Sequence, residues 1–261
     1  MQSPALIILY AFLIGTLFGS FAGVLGYRMP LGKSIAWPPS FCPACKEKIK
    51  PYDLVPVLSF ILLRGKCRKC KARISPMYPA AEFTCGLLFA ATAFLFSFPA
   101  AVPFAVLAFA LVVVTLVDVR VREIPDSMIA LVVVAAIFWI AVDPSSVLPF
   151  DALIGAVAGA VPLFLFDRIT LVLVKKDGFG YGDMKLMGAV GLFLGWQGVL
   201  VTFFLAFVTA AIVAVYLLRS KKAEPGSNIA FGPFICIGTI AAAWSHAYLG
   251  EHLISFIFQF A

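Results

Sequence analysis

The sequence predicts an all-α polytopic membrane protein of about eight transmembrane helices, with one small insert between the first two. Three observations support this class. Of the 261 residues, 62% are hydrophobic and only 13% are charged, which leaves too few polar side chains to cover a soluble globule. The apolar residues form runs that approach or exceed the roughly 20 needed to cross a hydrocarbon core. Short polar stretches separate these runs.

The first predicted span has no basic residue before it and a basic cluster after it. This is the reverse of a cleavable signal peptide, so we expect it to remain as an anchor. The sixth span is the weakest, since 13 residues would reach only about 20 Å as a helix; it would be thin, tilted or partly re-entrant. The eight predicted spans are Pro4–Tyr27, Ala80–Phe98, Ala101–Val117, Ser127–Val142, Ala152–Val174, Met184–Trp196, Gly198–Leu218 and Ile229–Leu249.

The basic residues predict the orientation, because lysine and arginine near span ends concentrate on the cytoplasmic side. With the N-terminus outside, all 20 of them fall inside, while the outer loops hold Asp143 and Asp151 and no base. This topology explains the net charge of +7, so the sequence predicts lipid rather than nucleic acid as the charged partner. Eleven bases lie from Arg28 to Arg73, two are Arg120 and Arg122, four lie from Arg168 to Lys185, and three from Arg219 to Lys222.

Residues 28–79 form the one long stretch that is not a span, and it is too small to bury a core that folds unaided. It contains Cys42-Pro-Ala-Cys45 and Cys67-Arg-Lys-Cys70, with 21 residues between the pairs. Two such pairs can form a tetrahedral four-thiolate site with Zn–S bonds of about 2.3 Å. The spacing lies close to that of zinc ribbons, which predicts a structural Zn²⁺ and a zinc-ribbon-like cytoplasmic insert.

Two disulfides or a redox-active pair are the alternatives for these four cysteines. A cytoplasmic location disfavours the disulfides, because the cytoplasm keeps thiols reduced. Cys85 and Cys236 lie within predicted spans, and we interpret both as small packing residues.

Two aspartates are candidates for catalysis, because carboxylates at membrane depth are costly and usually functional. Asp118 ends the third span, and Asp183 follows a glycine-rich turn that leads into the sixth. Both fall at cytoplasmic span ends, so they can face each other across the bundle and act as an aspartic dyad, one as base and one as acid. Alternatively, Asp183 caps its helix and Asp118 is a boundary charge paired with Arg120 or Arg122.

Three further acidic residues have more than one interpretation. Glu82, at the start of the second span, is either a helix-start charge or a site residue. Asp167 and Arg168 are adjacent, and solvation or mutual pairing accounts for both. Asp126 follows Asp118 by eight positions, and its role is not indicated by spacing alone.

Several short motifs run through nearly the whole chain, and together they resemble the bacterial prepilin peptidases, which process type IV prepilins and type II pseudopilins. The glycine-aspartate motif combined with two CxxC pairs is the most specific part. The motifs are Gly19-Ser20-Phe21, Tyr27-Arg28-Met29-Pro30, Cys42-Pro-Ala-Cys45, Asp53-Leu54-Val55-Pro56-Val57-Leu58-Ser59, Gly65-Lys66-Cys67-Arg68-Lys69-Cys70, Ile74-Ser75, Tyr78-Pro79 before Glu82, Asp118 with Ile124-Pro125-Asp126, Gly180-Tyr181-Gly182-Asp183-Met184-Lys185, and Phe231-Gly232-Pro233-Phe234.

The resemblance implies a catalytic pair, Asp118 and Asp183, with Asp126 in a supporting role. It implies cleavage of a basic leader ahead of a hydrophobic pilin helix, on the cytoplasmic side of the bacterial inner membrane. It also implies transfer of a methyl group from S-adenosyl-L-methionine to the new N-terminal amine. The matching division is residues 1–27 as first helix, 28–79 as the methyltransferase-associated zinc insert and 80–261 as the peptidase domain.

Other functions are compatible with parts of this pattern. A peptidase without methyltransferase activity would use the same aspartates. A proton-coupled transporter would use buried aspartates as a relay, and a zinc-stapled anchor would have no chemistry of its own.

Overall fold

The computed structural model describes residues 4–144, 147–175, 178–221 and 229–258, with side chains as far as Ser245. This part of the chain is helical, with only two isolated β-bridges and no strand, which confirms the predicted all-α class. The helices are α1 Pro4–Arg28, α2 Leu58–Leu62, α3 Met77–Leu95, α4 Ala101–Val121, α5 Asp126–Val142, α6 Pro149–Val174, α7 Tyr181–Arg219 and α8 Gly232–Phe258, with 3-10 turns at Met29–Leu31 and Pro51–Asp53.

Five helices within the described ranges are long and apolar enough to cross a membrane: α1, α3, α4, α6 and α7. The apolar helix α5 is shorter, as is the part of α8 from Gly232 to Ser245. The structure therefore supports several membrane-spanning helices.

The predicted sixth and seventh spans both lie within α7, a 39-residue helical stretch in which two helices meet at a kink. The chain leaves helical geometry at Gly195 alone, where φ is 69° and ψ is 179°. This backbone conformation is essentially restricted to glycine. The predicted break is therefore a single-residue kink, close to the position expected from the sequence.

The chain divides into two compact units, one ending at Ala101 and one beginning at Val102. In the first unit α1 packs on α3, and glycines on α1 allow their backbones to touch. A Cβ on Gly15 would lie 2.7 Å from the Cys85 carbonyl oxygen, and one on Gly19 would lie 2.5 Å from the Glu82 Cα. Small residues promote such close packing between helices in membranes.

In the second unit α4 is the most buried helix, with 72% of its apolar window inside the protein. The Phe104 ring of α4 meets Trp139 of α5 at 4.9 Å and Phe193 of α7 at 5.0 Å, both edge-on. Helix α6 packs on α7 through Gly155 and Gly191, whose backbones leave no room for a Cβ. These contacts hold α4, α5, α6 and α7 together, and two of these helices, α4 and α7, carry the candidate aspartates.

Candidate active site and four-cysteine cluster

Asp118 lies in the last turn of α4 and is buried, with 4% of its surface exposed. Its Oδ2 accepts a hydrogen bond of 2.9 Å from the backbone N–H of Gly232, the first residue of α8. A Cβ on Gly232 would lie 2.7 Å from that oxygen, so a glycine is required here. Arg122 lies within electrostatic range of Asp118 but forms no ion pair with it in the described part of the chain.

Asp183 is the third residue of α7, and its Oδ2 accepts a hydrogen bond of 3.2 Å from the backbone N–H of Gly180. This confirms the capping interpretation. The second oxygen, Oδ1, is buried and has no hydrogen-bond partner among the described residues. Capping therefore explains the position of Oδ2 only. A buried acceptor without a hydrogen bond is costly, so Oδ1 needs a separate explanation.

The structure brings the two aspartates together. The carboxylate of Asp183 lies within electrostatic range of that of Asp118. Backbone packing brings the helix ends together, since a Cβ on Gly182 would lie 2.9 Å from the Ile124 Cβ, just beyond α4. Carboxylates within electrostatic range of each other titrate as a coupled pair, which is the property that an aspartic dyad uses.

Asp167 anchors the glycine-rich turn from the end of α6. It is 1% exposed, and its Oδ1 accepts hydrogen bonds from the backbone N–H groups of Gly178 at 3.0 Å and Phe179 at 3.4 Å. Its Oδ2 pairs with Arg168 at 2.5 Å, and Arg168 also donates to the Tyr181 hydroxyl at 3.1 Å. Of the two interpretations of Asp167 and Arg168, solvation and mutual pairing, the structure shows pairing. Nothing in the sequence indicated that this pair holds the turn.

An aromatic cluster connects the same turn to the segment before α8. The Phe179 ring lies 5.4 Å from Phe166 of α6, 5.0 Å from Phe231 and 6.1 Å from Phe207 of α7. Because Phe231 directly precedes Gly232, this cluster supports both the Asp183 turn and the N–H donor to Asp118.

Asp126, at the start of α5, lies apart from this arrangement. Its side chain is 75% exposed and forms an ion pair of 2.9 Å with Lys185 of α7. This contact links the first turns of α5 and α7. Such an exposed pair contributes little to stability, and it holds Asp126 against the helix that carries Asp183.

The four cysteines of the insert converge, and their sulfur atoms all lie within 4.8 Å of one another. All four are free cysteines in the structure, and none of them is paired in a disulfide there. The Cys42 and Cys70 sulfurs are 3.8 Å apart, which is about the edge of a tetrahedron with Zn–S bonds of ~2.3 Å. The four side chains therefore fit a tetrahedral metal ion.

The two CxxC turns have the same backbone design. Lys46 donates its N–H to the Cys42 carbonyl at 2.8 Å, and Lys71 donates to the Cys67 carbonyl at 3.0 Å. Both lysines adopt left-handed conformations, with φ of 60° and 59°. Backbone N–H groups of Cys70 and Lys69 lower the pKa of Cys67 to about 7. The turn thereby favours thiolate, the form that binds metal.

Two ion pairs connect the second CxxC turn to the rest of the insert. Arg68 pairs side-on with Asp53, through contacts of 2.9 Å and 2.7 Å, and the Asp53 side chain is only 8% exposed. The Arg68 guanidinium lowers the pKa of Asp53. Lys69 pairs with Glu47, which follows the first turn. These pairs hold the two turns in register.

Fold and site together define a helical membrane protein with a paired-carboxylate site and a four-cysteine cluster. Residues 13–96 match the bacterial peptidase A24 N-terminal domain, and residues 105–215 match the type IV leader peptidase family. Full-length relatives agree with both matches, and the chain belongs to the type IV leader peptidase family.

Three similar proteins carry the name prepilin leader peptidase/N-methyltransferase. That of Stutzerimonas stutzeri is 33% identical, covering 100% of this chain and 96% of the relative. That of Pseudomonas aeruginosa is 32% identical, with 99% and 96% covered. That of Bacillus subtilis is 34% identical, with 96% and 97% covered. No solved structure matches the chain.

Proposed function

We propose that this chain is an intramembrane aspartic endopeptidase that removes the leader of type IV prepilins or type II pseudopilins. The observation that carries the proposal is that the carboxylates of Asp118 and Asp183, from two different helices, lie within electrostatic range of each other. The family membership and the names of the full-length relatives support the substrate class.

In the proposed mechanism one carboxylate is ionised and the other is protonated. The ionised one accepts a proton from a water molecule as that water attacks the scissile carbonyl carbon. The protonated one donates to the carbonyl oxygen or to the leaving amine. The Gly232 N–H holds Asp118 in place, and the free Oδ1 of Asp183 is available to water or substrate.

We also propose that the enzyme methylates the amine that cleavage creates, and the word N-methyltransferase in the names of its relatives supports this. When bound, S-adenosyl-L-methionine would supply the methyl group. The cysteines Cys42, Cys45, Cys67 and Cys70 would hold one structural Zn²⁺ in the insert, with no open coordination position. In the first unit, Glu82 pairs with no base among the described residues, and such a carboxylate fits a reaction between a cationic methyl donor and an amine.

The basic residues support a bacterial inner-membrane location with the N-terminus outside. Eight spans result when α7 is counted as two spans, one on each side of Gly195, and the shorter helices α5 and α8 are included. With eight spans and the N-terminus outside, every loop that carries basic residues lies on the cytoplasmic side. The insert and the ends of α4 and α7 would then all face the cytoplasm, where basic residues concentrate.

The test is incubation of the purified enzyme with a prepilin and S-adenosyl-L-methionine, followed by mass determination of the product. Asp118→Asn and Asp183→Asn should each abolish cleavage while the protein stays folded in membrane. The double variant should be little worse than either single one, since groups that act as a unit are non-additive. Asp126→Asn is the control and should keep partial activity.

One outcome would overturn the proposed peptidase. If either single variant cuts at the wild-type rate, the two aspartates are not a catalytic pair. A wild-type chain that leaves prepilin intact would instead favour a proton relay or an inert anchor.

A further inference from the structure

Glu82 is the one acidic side chain of the first unit that pairs with no base among the described residues. Glu47 pairs with Lys69 and Asp53 pairs with Arg68. Glu82 instead accepts hydrogen bonds from two neutral donors. These are the backbone N–H of Val57, at 2.6 Å, and the hydroxyl of Ser20.

The position of Glu82 makes an unpaired charge expensive. It is the sixth residue of α3, a helix with the length and hydropathy of a membrane span. A carboxylate at such a position usually has a partner or marks a binding path. Two neutral hydrogen bonds leave its negative charge uncompensated, so a cationic ligand is the partner that the charge would favour.

The backbone that faces this carboxylate is strained. Val57 has φ of 60° and ψ of −50°, and the Leu58 N–H donates to the Pro56 carbonyl at 2.5 Å. This is the classic γ-turn, which is rare, and positive φ is an outlier for a β-branched residue. Strain of this kind concentrates at ligand-binding and catalytic sites.

Close helix packing fixes the carboxylate in this position. A Cβ on Gly19 of α1 would lie 2.5 Å from the Glu82 Cα, and one on Gly23 would lie 2.9 Å from the Tyr78 ring. Apolar side chains flank the strained turn, with Val55 44% and Leu58 52% exposed. Glu82 thus combines a fixed anion with exposed apolar surface in the adjoining turn.

We propose that Glu82 binds the new N-terminal ammonium of the cleaved substrate and accepts the proton that this amine must lose before methylation. The inference rests on the proposed methyltransferase function. A cleaved pilin presents a positive amine on an apolar residue, which suits an unpaired carboxylate beside apolar side chains.

The chemical step balances as follows. The ammonium gives one proton to the Glu82 carboxylate, which frees the lone pair of the nitrogen. That lone pair forms the new N–C bond to the methyl carbon of a sulfonium donor. The S–C bond breaks, its electron pair stays on sulfur, and the donor leaves as a neutral thioether. The second proton of the methylated amine remains or passes to water.

Glu82→Gln tests the assignment, because glutamine keeps the shape and an oxygen that can accept from Val57 and Ser20. A purely structural residue would therefore tolerate the change. We expect methylation to fall by about 100-fold or more, the contribution typical of a general base, with cleavage unchanged. Both activities are read from the product mass. Asp151→Asn, the same carboxylate-to-amide change at the start of α6 and outside both candidate sites, should alter neither.

Binding gives a second readout that does not depend on turnover. A fluorescent peptide with the mature apolar N-terminus should bind wild-type enzyme at least about tenfold more tightly with a free amine than when N-acetylated, a difference of one charge pair. Glu82→Gln should lose this preference. Equal methylation by Glu82→Gln and wild type would overturn the assignment, as would loss of cleavage in the variant. A wild-type enzyme that cleaves without methylating would instead overturn the proposed methyltransferase.

Discussion

Asp118 and Gly232 form a contact in which the absence of a side chain matters. The Gly232 N–H donates to the carboxylate, and any Cβ would lie 2.7 Å from the same oxygen. Gly232 thus provides both the N–H donor to Asp118 and, by lacking a Cβ, the space that the Asp118 carboxylate occupies. The same glycine also begins α8, so the carboxylate is held from a helix start, where backbone N–H groups are unpaired within the helix.

Gly232→Ala should reduce prepilin cleavage by roughly 10- to 100-fold, because displacing a catalytic group by less than 1 Å is that costly. Mass spectrometry of the product over time measures the rate. Gly188→Ala is the matched control in the same unit, since its Cβ would meet its nearest neighbour at an ordinary 3.5 Å. A Gly232→Ala enzyme with the wild-type rate would show that this hydrogen bond does not position Asp118.

Sequence reasoning identified the two aspartates as candidates because each lies at the end of a long apolar helix, Asp118 in the last turn of α4 and Asp183 in the first turn of α7. Gly232 was not identified as a site residue, since it lies 114 residues from Asp118 and only tertiary packing brings them together. Capping by Asp183, which the sequence offered as the alternative to catalysis, is present in the structure, but its Oδ1 without a partner among the described residues was not predicted. The sequence around a helix start indicates which backbone N–H a capping side chain accepts from. It does not indicate which oxygen of that side chain is left without a hydrogen bond, because that depends on tertiary packing.

The glycine-rich turn before α7, which precedes Asp183, is held in its conformation by the neighbouring helix α6. Asp167, at the end of α6, accepts two backbone hydrogen bonds from the turn before α7. The apolar helices were predictable from hydropathy, and the sequence placed a break between Trp196 and Gly198, close to the kink at Gly195. The anchoring of the turn was not predictable, because adjacent Asp167 and Arg168 look like any exposed pair at a helix end.

Asp167→Ala should lower cleavage by roughly tenfold, since hydrogen bonds to a charged group contribute about 1.5–3 kcal/mol. Asp167→Asn should keep more activity, because its amide oxygen can still accept from Gly178. Cleavage rates give the comparison, and limited proteolysis of the turn reports whether it has loosened. Equal activity of wild type and the alanine variant would contradict the anchoring role.

The insert offers a prediction with a defined pH dependence. Asp53→Asn should weaken zinc retention by about two- to fivefold near neutral pH, since a well-formed ion pair contributes about 0.5–1 kcal/mol. The pKa of folded Asp53 is lowered by Arg68. Its contribution is therefore complete above the ordinary value of 3.8 and is lost only as the pH falls through the lower, folded-state value.

Chelator competition measures this effect in wild type and variant. The ratio of their zinc affinities should stay constant from about pH 7.5 to about pH 5, which is above the usual range for aspartate. Lys69→Met, which breaks the more exposed pair with Glu47, is the control and should have a smaller effect. If wild type and Asp53→Asn bound zinc equally well at any pH within this range, the Asp53–Arg68 pair would not be what stabilises the zinc site.

At the scale of the whole molecule, the two proposed activities fall in different units. The four cysteines and Glu82 belong to the unit that ends at Ala101, while Asp118 and Asp183 belong to the one that begins at Val102. The sequence predicted the insert and the later spans, but it assigned α3 to the peptidase domain. In the structure α3 packs on α1, because their glycines match along the contact.

This division predicts a one-way dependence between the activities. Methylation needs the free amine that cleavage creates, so Asp118→Asn and Asp183→Asn should leave full-length prepilin both uncut and unmethylated. A supplied mature N-terminal peptide should still be methylated by these variants. Cys→Ser variants at Cys42 or Cys67 should do the reverse, with less bound metal, reduced methylation and partly retained cleavage. Folding of so small an insert is linked to metal binding, so damage there should remain largely within the first unit.

Mass spectrometry separates these outcomes, because cleavage and methylation change the product mass by different fixed amounts. Elemental analysis of the same samples should find one zinc per wild-type chain and less in each cysteine variant. If the cysteine variants lost cleavage as completely as the aspartate variants, the peptidase would depend on an intact insert. If the aspartate variants failed to methylate the mature peptide, the two units would not act separately. The one-way dependence therefore requires both results from one set of variants: methylation without Asp118 or Asp183, and cleavage with a damaged cysteine cluster.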